Sequence, residues 1–271
     1  MTDQQLEHAC DVLWNCWQRG ERIASLPDEI RPRTREEGYA IQARLERRSA
    51  LPLFGWKIAA TSKAGQAHIA VDGPLAGRLL AEHFHRSGAR LLFGDNHMRV
   101  AEAEFAFRMG TDVPSRRARY TVDEVMASVL TLHPAIEIPD SRYEDFTIVG
   151  APQLIADNAC AHDFVMSPPS PDTWRSIDLA VHRVTGRVEW SGGLSGPREP
   201  LEREGLGANV LGDPREALTW LVNELSELGI TLRAGQVVTT GTCLAPLPIA
   251  PGDSVTCDFG VLGKVSISFL D

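Results

Sequence analysis

Apolar residues recur at helical spacing from the start of the chain. Leu6, Ala9, Cys10, Leu13, Cys16 and Trp17 fall on one stripe over residues 3–18, which predicts an amphipathic helix. A break containing Pro27 and Pro32 follows. Thr34 then begins a capping box with Glu37. The helix it opens runs through Tyr39, Ile41 and Leu45 to near Ser49. From Gly55 the texture changes, and short apolar runs alternate with Gly and Pro as strands do. Residues 98–108 alternate cleanly: Ala101, Ala103, Phe105 and Phe107 share one face, and Glu102, Glu104 and Arg108 the other. Residues 177–191 read as a hairpin around Thr185–Gly186. Asp213, Pro214 and Glu216 supply the N-cap, first-turn proline and third-position acid of a helix. Its stripe is Leu218, Leu221, Leu225 and Leu228, and Gly229 ends it. Val255 to Leu270 reads as two alternating strands joined through Gly260–Gly263.

Two helices, many short strands, one late helix and a strand pair make an α+β chain with a β-rich body, not a regular βαβ array. The expected division is an N-terminal helical and small α+β part over 1–90 and a β-rich catalytic domain over 91–271. No GxGxxG or GxxxxGK[ST] lies between a strand and a helix, so the usual nucleotide signatures are missing.

Composition narrows the function. The chain has 271 residues, enough for a core without disulfides. Lys and Arg number 27 against 36 Asp and Glu, a net charge of −9, which disfavours a nucleic-acid partner. The five cysteines are odd in number and form no CxxC pair, so neither a disulfide framework nor a structural zinc site is expected. A reducing cytoplasm is the simplest compartment. Met1 to Glu7 is polar and carries no apolar leader, and no apolar run reaches membrane-spanning length.

Several residues could carry chemistry. Glu102 and Glu104, two apart on a strand, face the same way. Alone, such a pair is most simply a solvated strand face; buried, the two charges repel, and a divalent cation would relieve them. Glu137 lies between Ile136 and Ile138 and faces either a site or solvent. Three glutamates would supply hard oxygen ligands suited to Mg²⁺ or Mn²⁺. Asp140 and Arg142 could pair with each other. Lys57, inside the apolar run Gly55–Ser62, is either a snorkelling lysine or a cation that meets an anionic substrate. Asp157–Asn158 reads first as a turn, and Cys160 as a small packed residue rather than a nucleophile. His68, His83, His85 and His97 are taken as surface or core residues.

The segments GWKIAATS, VDGPLAG, AEAEF, PAIEIPDSRY, IADNAC, DPREALTWLVNELSELG and AGQVVTTGT, in this order, resemble the 2-keto-4-pentenoate hydratase and 4-oxalocrotonate decarboxylase family of the fumarylacetoacetate hydrolase-like superfamily. The resemblance runs from about Thr34 to the C-terminus. It implies a mixed β-sandwich or roll behind a small N-terminal helical part. It implies metal ligands at Glu102, Glu104 and Glu137, a site lysine at Lys57, and Mg²⁺ or Mn²⁺ as cofactor. The implied substrate is a small 2-oxo or 2-hydroxy acid, with homo-oligomers as the usual assembly and a partner pathway enzyme as a further associate. The substrate-binding candidates are Lys57, Arg142, Asn158, Cys160 and Thr242; those for proton handling are Lys57, Asp72 and Asp140.

This chain departs from the family at three places. Cys160 stands where many relatives have serine. Met166–Pro169 replaces a glycine-rich step. Leu75 and Ala76 stand where several hydratases carry an acid, with Asp72 just upstream. The leading expectation is hydration of a 2-hydroxy-2,4-dienoate to a 4-hydroxy-2-oxo acid in aromatic catabolism. The alternatives are decarboxylation of the 4-oxalocrotonate type, in which Arg78 or Arg142 would hold a distal carboxylate, acylpyruvate C–C hydrolysis, and a non-catalytic assembly subunit.

Overall fold

The computed structural model describes residues 1–193 and 196–271. The N-terminal stripe folds as α1 (Asp3–Arg19), where Thr2 and Gln5 form a reciprocal capping box. Thr34 caps α2 (Arg35–Gln42) by accepting from the Glu37 amide. Only half of that second box forms, because the Glu37 carboxylate is taken by the Arg33 amide and the Met1 amino group. Ala9, Cys10 and Leu13 of α1 and Ile41 of α2 close a small core with Leu26, Leu45 and Tyr143.

Two sheets form the body. In the larger, β2 (Leu75–Leu79), β1 (Gly55–Ala59), β10 (Val237–Thr242), β5 (Val100–Met109), β6 (Val129–Ile138), β7 (Asp163–Met166) and β3 (Phe84–Arg86) follow one another, and β11 (Leu247–Pro248) also pairs with β5. It is mixed: β1 runs parallel to β10 and β3 to β7, and the other pairs are antiparallel. The smaller sheet orders β4 (Ala89–Leu92), β13 (Lys264–Leu270), β12 (Asp253–Asp258), β8 (Arg183–Trp190) and β9 (Leu201–Leu206). Alternation along β5 sends Phe105 and Phe107 into a core shared with Val184 and Val188 of β8, Val255 of β12 and Ile267 of β13. Full burial of such side chains contributes roughly 1.5–3 kcal/mol each.

The late helix is α6 (Pro214–Glu227). Asp213 caps it, and its Leu218, Leu221 and Leu225 are buried. Gly229 (φ +74°) leaves it in the left-handed region that glycine tolerates. Three short helices complete the set: α3 (Lys63–His68), α4 (Val122–Ala127) and α5 (Ala151–Ala156). Among the described residues, no helix is long and apolar enough to cross a membrane.

Two expectations change. β8 runs straight through Thr185 and Gly186, pairing with β9 and β12, so no hairpin turns there. A Cβ on Gly186 would lie 2.8 Å from Leu247 Cδ1; the glycine serves close packing, not reversal. A division at residue 90 cuts through both sheets, because β1, β2 and β3 lie in the large sheet and β4 in the small one.

Candidate active site and metal centre

Strand register assembles the site. Glu102 of β5 stands directly opposite Glu137 of β6, and Glu104 lies two residues along the same face. One carboxylate oxygen from each of the three lies within 4.8 Å of the other two. On the other side of β5, the β10 register shifts between Thr239 and Thr242, and such bulges re-aim backbone groups. Here the Gly241 amide donates to Glu104 Oε2 at 2.7 Å, and the Thr239 hydroxyl donates to the same oxygen. Gly241 (φ +91°) fits no larger residue, because a Cβ would lie 2.3 Å from Thr61 Oγ1.

β1, the next strand, carries Lys57. Its ammonium lies 2.8 Å from Glu137 Oε1 and donates to the Ala159 carbonyl at 3.0 Å. That carbonyl is presented by Asn158, Ala159 and Cys160, three successive residues at positive φ. Strain of this kind costs roughly 1–3 kcal/mol per residue and persists where surroundings enforce it. The Asn158 side chain enforces it, accepting from the Arg78 amide at 2.6 Å and donating to the Arg78 carbonyl at 2.8 Å.

The charges interact strongly. Burial first, then the Glu137 charge, pushes the Glu102 carboxyl up to about 7, against the pull of Lys57. Burial, Glu137 and Glu102 hold Glu104 well above its ordinary value. For Lys57, burial opposes the charged form, but Glu137, Glu102 and Glu104 outweigh it and raise the pKa. The lysine is a fixed cation.

These residues fit a divalent ion. Glu104 and Glu137 are 0% exposed, and Glu104 Oε1 and Glu137 Oε2 are buried without a hydrogen-bond partner. Buried polar atoms left so are costly. When all three carboxylates are ionised, one ammonium leaves two negative charges uncompensated, and burial together with this repulsion raises Glu102 and Glu104. An all-oxygen donor set matches a hard divalent cation.

Above the triad lies a cleft of about 1020 Å³, bordered by Lys57, Glu102, Leu75, Met98, Cys160 and Thr242 among others. Burial pushes the Cys160 thiol up to about 12, so it stays protonated. Four candidates lie elsewhere. Asp72 is 90% exposed and faces Arg35 at 3.6 Å. Asp140 pairs with Arg22 and accepts from the His97 and Met98 amides. Arg142 is buried in an ion pair with Asp157 and meets Asp140 only at its backbone carbonyl. Asn158 is spent on the Arg78 backbone. Arg78 itself pairs with Glu46 and Gln42. The Thr239 and Gly241 donors and the Ala159 carbonyl were missed in the sequence; the threonine–glycine run before Thr242 was the available signal.

No protein-family model matches the chain. It is 32% identical over 274 residues to a 2-keto-4-pentenoate hydratase of Paraburkholderia xenovorans (strain LB400), spanning 99% of this chain and 96% of that protein. It is 32% identical over 278 residues to a 2-hydroxyhexa-2,4-dienoate hydratase of Comamonas testosteroni, spanning both in full (100% and 100%). Its fold matches the solved 4-oxalocrotonate decarboxylase from Pseudomonas putida G7, complexed with magnesium and adipate, at a TM-score of 0.85 and 26% identity, over 100% of this chain and 99% of that one. Full-length similarity, with the same curled mixed sheet behind N-terminal helices, makes this chain a member of the 2-keto-4-pentenoate hydratase and 4-oxalocrotonate decarboxylase family of the fumarylacetoacetate hydrolase-like superfamily.

Proposed function

We propose that the protein is a divalent-metal-dependent lyase for a small 2-oxo or 2-hydroxy acid, and that its reaction is decarboxylation of a vinylogous 2-oxo-enedioate. One observation carries the preference over hydration: among the described residues bordering the cleft, Glu102 is the only carboxylic acid, beside Lys57, Lys63 and His68, and no arginine is present. Water addition wants a base near the far carbon. The acids proposed for that role, Asp72 and Asp140, border a different surface and a different cavity. Decarboxylation needs no such base.

Bound at Glu102, Glu104 and Glu137, Mg²⁺ or Mn²⁺ would supply an electron sink at the substrate's C2 oxygen. Lys57, held by Glu137 and the Ala159 carbonyl, sets a positive charge beside the developing enolate. As a fixed cation Lys57 stabilises that enolate without giving up its proton, and the carbanion left by CO₂ takes its proton from solvent in the cleft. Leu75, Met98, Val100, Leu154 and Leu244 give the distal end apolar walls. A departing carboxylate set against such apolar walls is destabilised relative to neutral CO₂. Arginine there would oppose the reaction by stabilising the ground state.

Hydration is the second reading, favoured by the 32% identity to two hydratases. A paired assay separates the two. With Mg²⁺, CO₂ release from 2-oxohex-3-enedioate, abolished by chelator, supports decarboxylation. Turnover of 2-hydroxypenta-2,4-dienoate without activity on the dioate overturns it in favour of hydration. The same proposal includes homo-oligomeric assembly, association with a neighbouring pathway enzyme, and a reducing cytoplasm. The last is supported by five buried cysteines, all unpaired.

A further inference from the structure

On the outer edge of the large sheet, β3 and β7 run parallel with Phe84 opposite Phe164. The residues just before those phenylalanines, His83 and Asp163, are therefore neighbours, and His162 precedes Asp163 in the chain. Asp163 pairs with Ile138 of β6, one residue beyond Glu137. Successive strand residues face opposite ways, so this cluster lies on the opposite face of the sheet from the glutamate triad.

Three imidazoles converge on one carboxylate. His85 Nε2 lies 2.7 Å from Asp163 Oδ1, His162 Nδ1 lies 2.9 Å from Oδ2, and His83 Nδ1 lies 3.3 Å from Oδ1. One donor atom from each of His83, His162 and Asp163 lies within 4.8 Å of the other two. Trp17 of α1 stacks on His83 with centroids 4.9 Å apart and lies 5.7 Å from His162, fixing both rings. The side chains are about one-fifth exposed (20–23%), so an ion can enter. Burial pushes the Asp163 carboxyl up, but the hydrogen bonds from His162, His83 and His85 outweigh it and keep the group anionic. His162 and Asp163 also border a separate cavity of about 220 Å³, which leaves room for water on a bound ion.

We propose that His83, His162 and Asp163 form a second cation site, selective for a divalent ion of the zinc class, with His85 holding the Asp163 carboxylate in place. Two imidazole nitrogens and one carboxylate oxygen are the donors such ions prefer, whereas Mg²⁺ prefers oxygen. The ion would tie the edge strand β3 to β7 beneath α1, so its role is structural. His83–Phe84–His85, two histidines two apart at the start of an edge strand, is the sequence signal for this cluster.

The test uses the whole protein with the triad saturated by excess Mg²⁺ and Co²⁺ as the probe. One equivalent of Co²⁺ should bind, give visible bands of a nitrogen-ligated ion, quench tryptophan emission and raise the melting temperature. His83→Ala and His162→Ala should abolish this binding. His85→Ala should weaken it by about 10–100-fold, as loss of a group orienting a ligand does. Trp17→Phe should reduce the quench while the bands persist. Mg²⁺-dependent turnover should be unchanged in the two alanine variants at His83 and His162. Failure of Mg²⁺-saturated wild-type protein to bind Co²⁺ overturns the proposal, as does an unaltered spectrum in the His83/His162 double variant. If a variant fails to fold, X-ray absorption of Co²⁺ bound to wild-type protein decides: nitrogen ligands support the site and all-oxygen ligation overturns it.

Discussion

Two buried charge centres draw on the same stretch of chain, Pro134 to Arg142, and they are built in opposite ways. Around Arg142 the chain completes its own chemistry. The Asp157 carboxylate accepts from the Arg142 guanidinium, from its amide at 3.1 Å and from Ser141 Oγ at 2.7 Å. The guanidinium also donates to the carbonyls of Asp140 and Ala161 and stacks 4.5 Å over Trp17. Burial pushes the Asp157 carboxyl up, and Arg142 and Ser141 pull against it. Around Glu137 the chain stops short, leaving Glu104 Oε1 and Glu137 Oε2 without donors. A buried charge that its own chain satisfies holds structure; one left incomplete is a place for something that binds.

The sharpest way to break this comparison is Glu104→Gln. Metal-dependent turnover should fall by at least about 10²-fold, the scale on which loss of an electrostatic group at a reacting centre falls. Metal-free melting should not drop, because the substitution removes a poorly compensated charge. A fall in stability as large as that of a broken ion pair would erase the distinction. Arg142→Met should do the reverse. Stripping one partner from a buried pair costs about 3–5 kcal/mol, read by denaturant unfolding, while Mg²⁺ affinity measured calorimetrically should hold.

pH provides a smaller contrast. The folded-state values of Glu102 and Glu104 are raised above the ordinary 4.5. Their contribution to stability is therefore fully present below about 4.5 and is lost as pH rises, for Glu102 through about 7. The melting-temperature gain from Mg²⁺ should then be greater at pH 8 than at pH 5. An equal gain at both would remove the uncompensated charge from the account. Least of all, Asp72→Asn should leave stability within about 0.5 kcal/mol, as for surface changes generally, and turnover unchanged. A large loss of turnover would return Asp72 to the reaction.

The sequence carried the local parts of this picture well. The α1 and α6 stripes, the tail strands and the shared face of Glu102 and Glu104 all follow from spacing within one element. Partners across elements were harder. Asp140 and Arg142 looked like a pair because they are close in sequence, yet Asp140 turns to Arg22 and Arg142 to Asp157. Gly186 looked like a turn because its reason for being glycine, Leu247, comes from β11. The donors to Glu104 depend on a bulge in β10, and one residue of register shift leaves no periodic trace.

The pairing of β1 with β10 has a consequence for how the protein is made. Gly55 lies beside Val237 and Lys57 beside Thr239, so the lysine strand waits for a neighbour that is made much later. The amide that steadies Glu104 belongs to Gly241, which leaves the ribosome long after Glu104 itself. Nascent chains carry the acids before they gain the fully ordered centre, and until β10 is made β1 and β5 present unpaired edges that a chaperone can recognise.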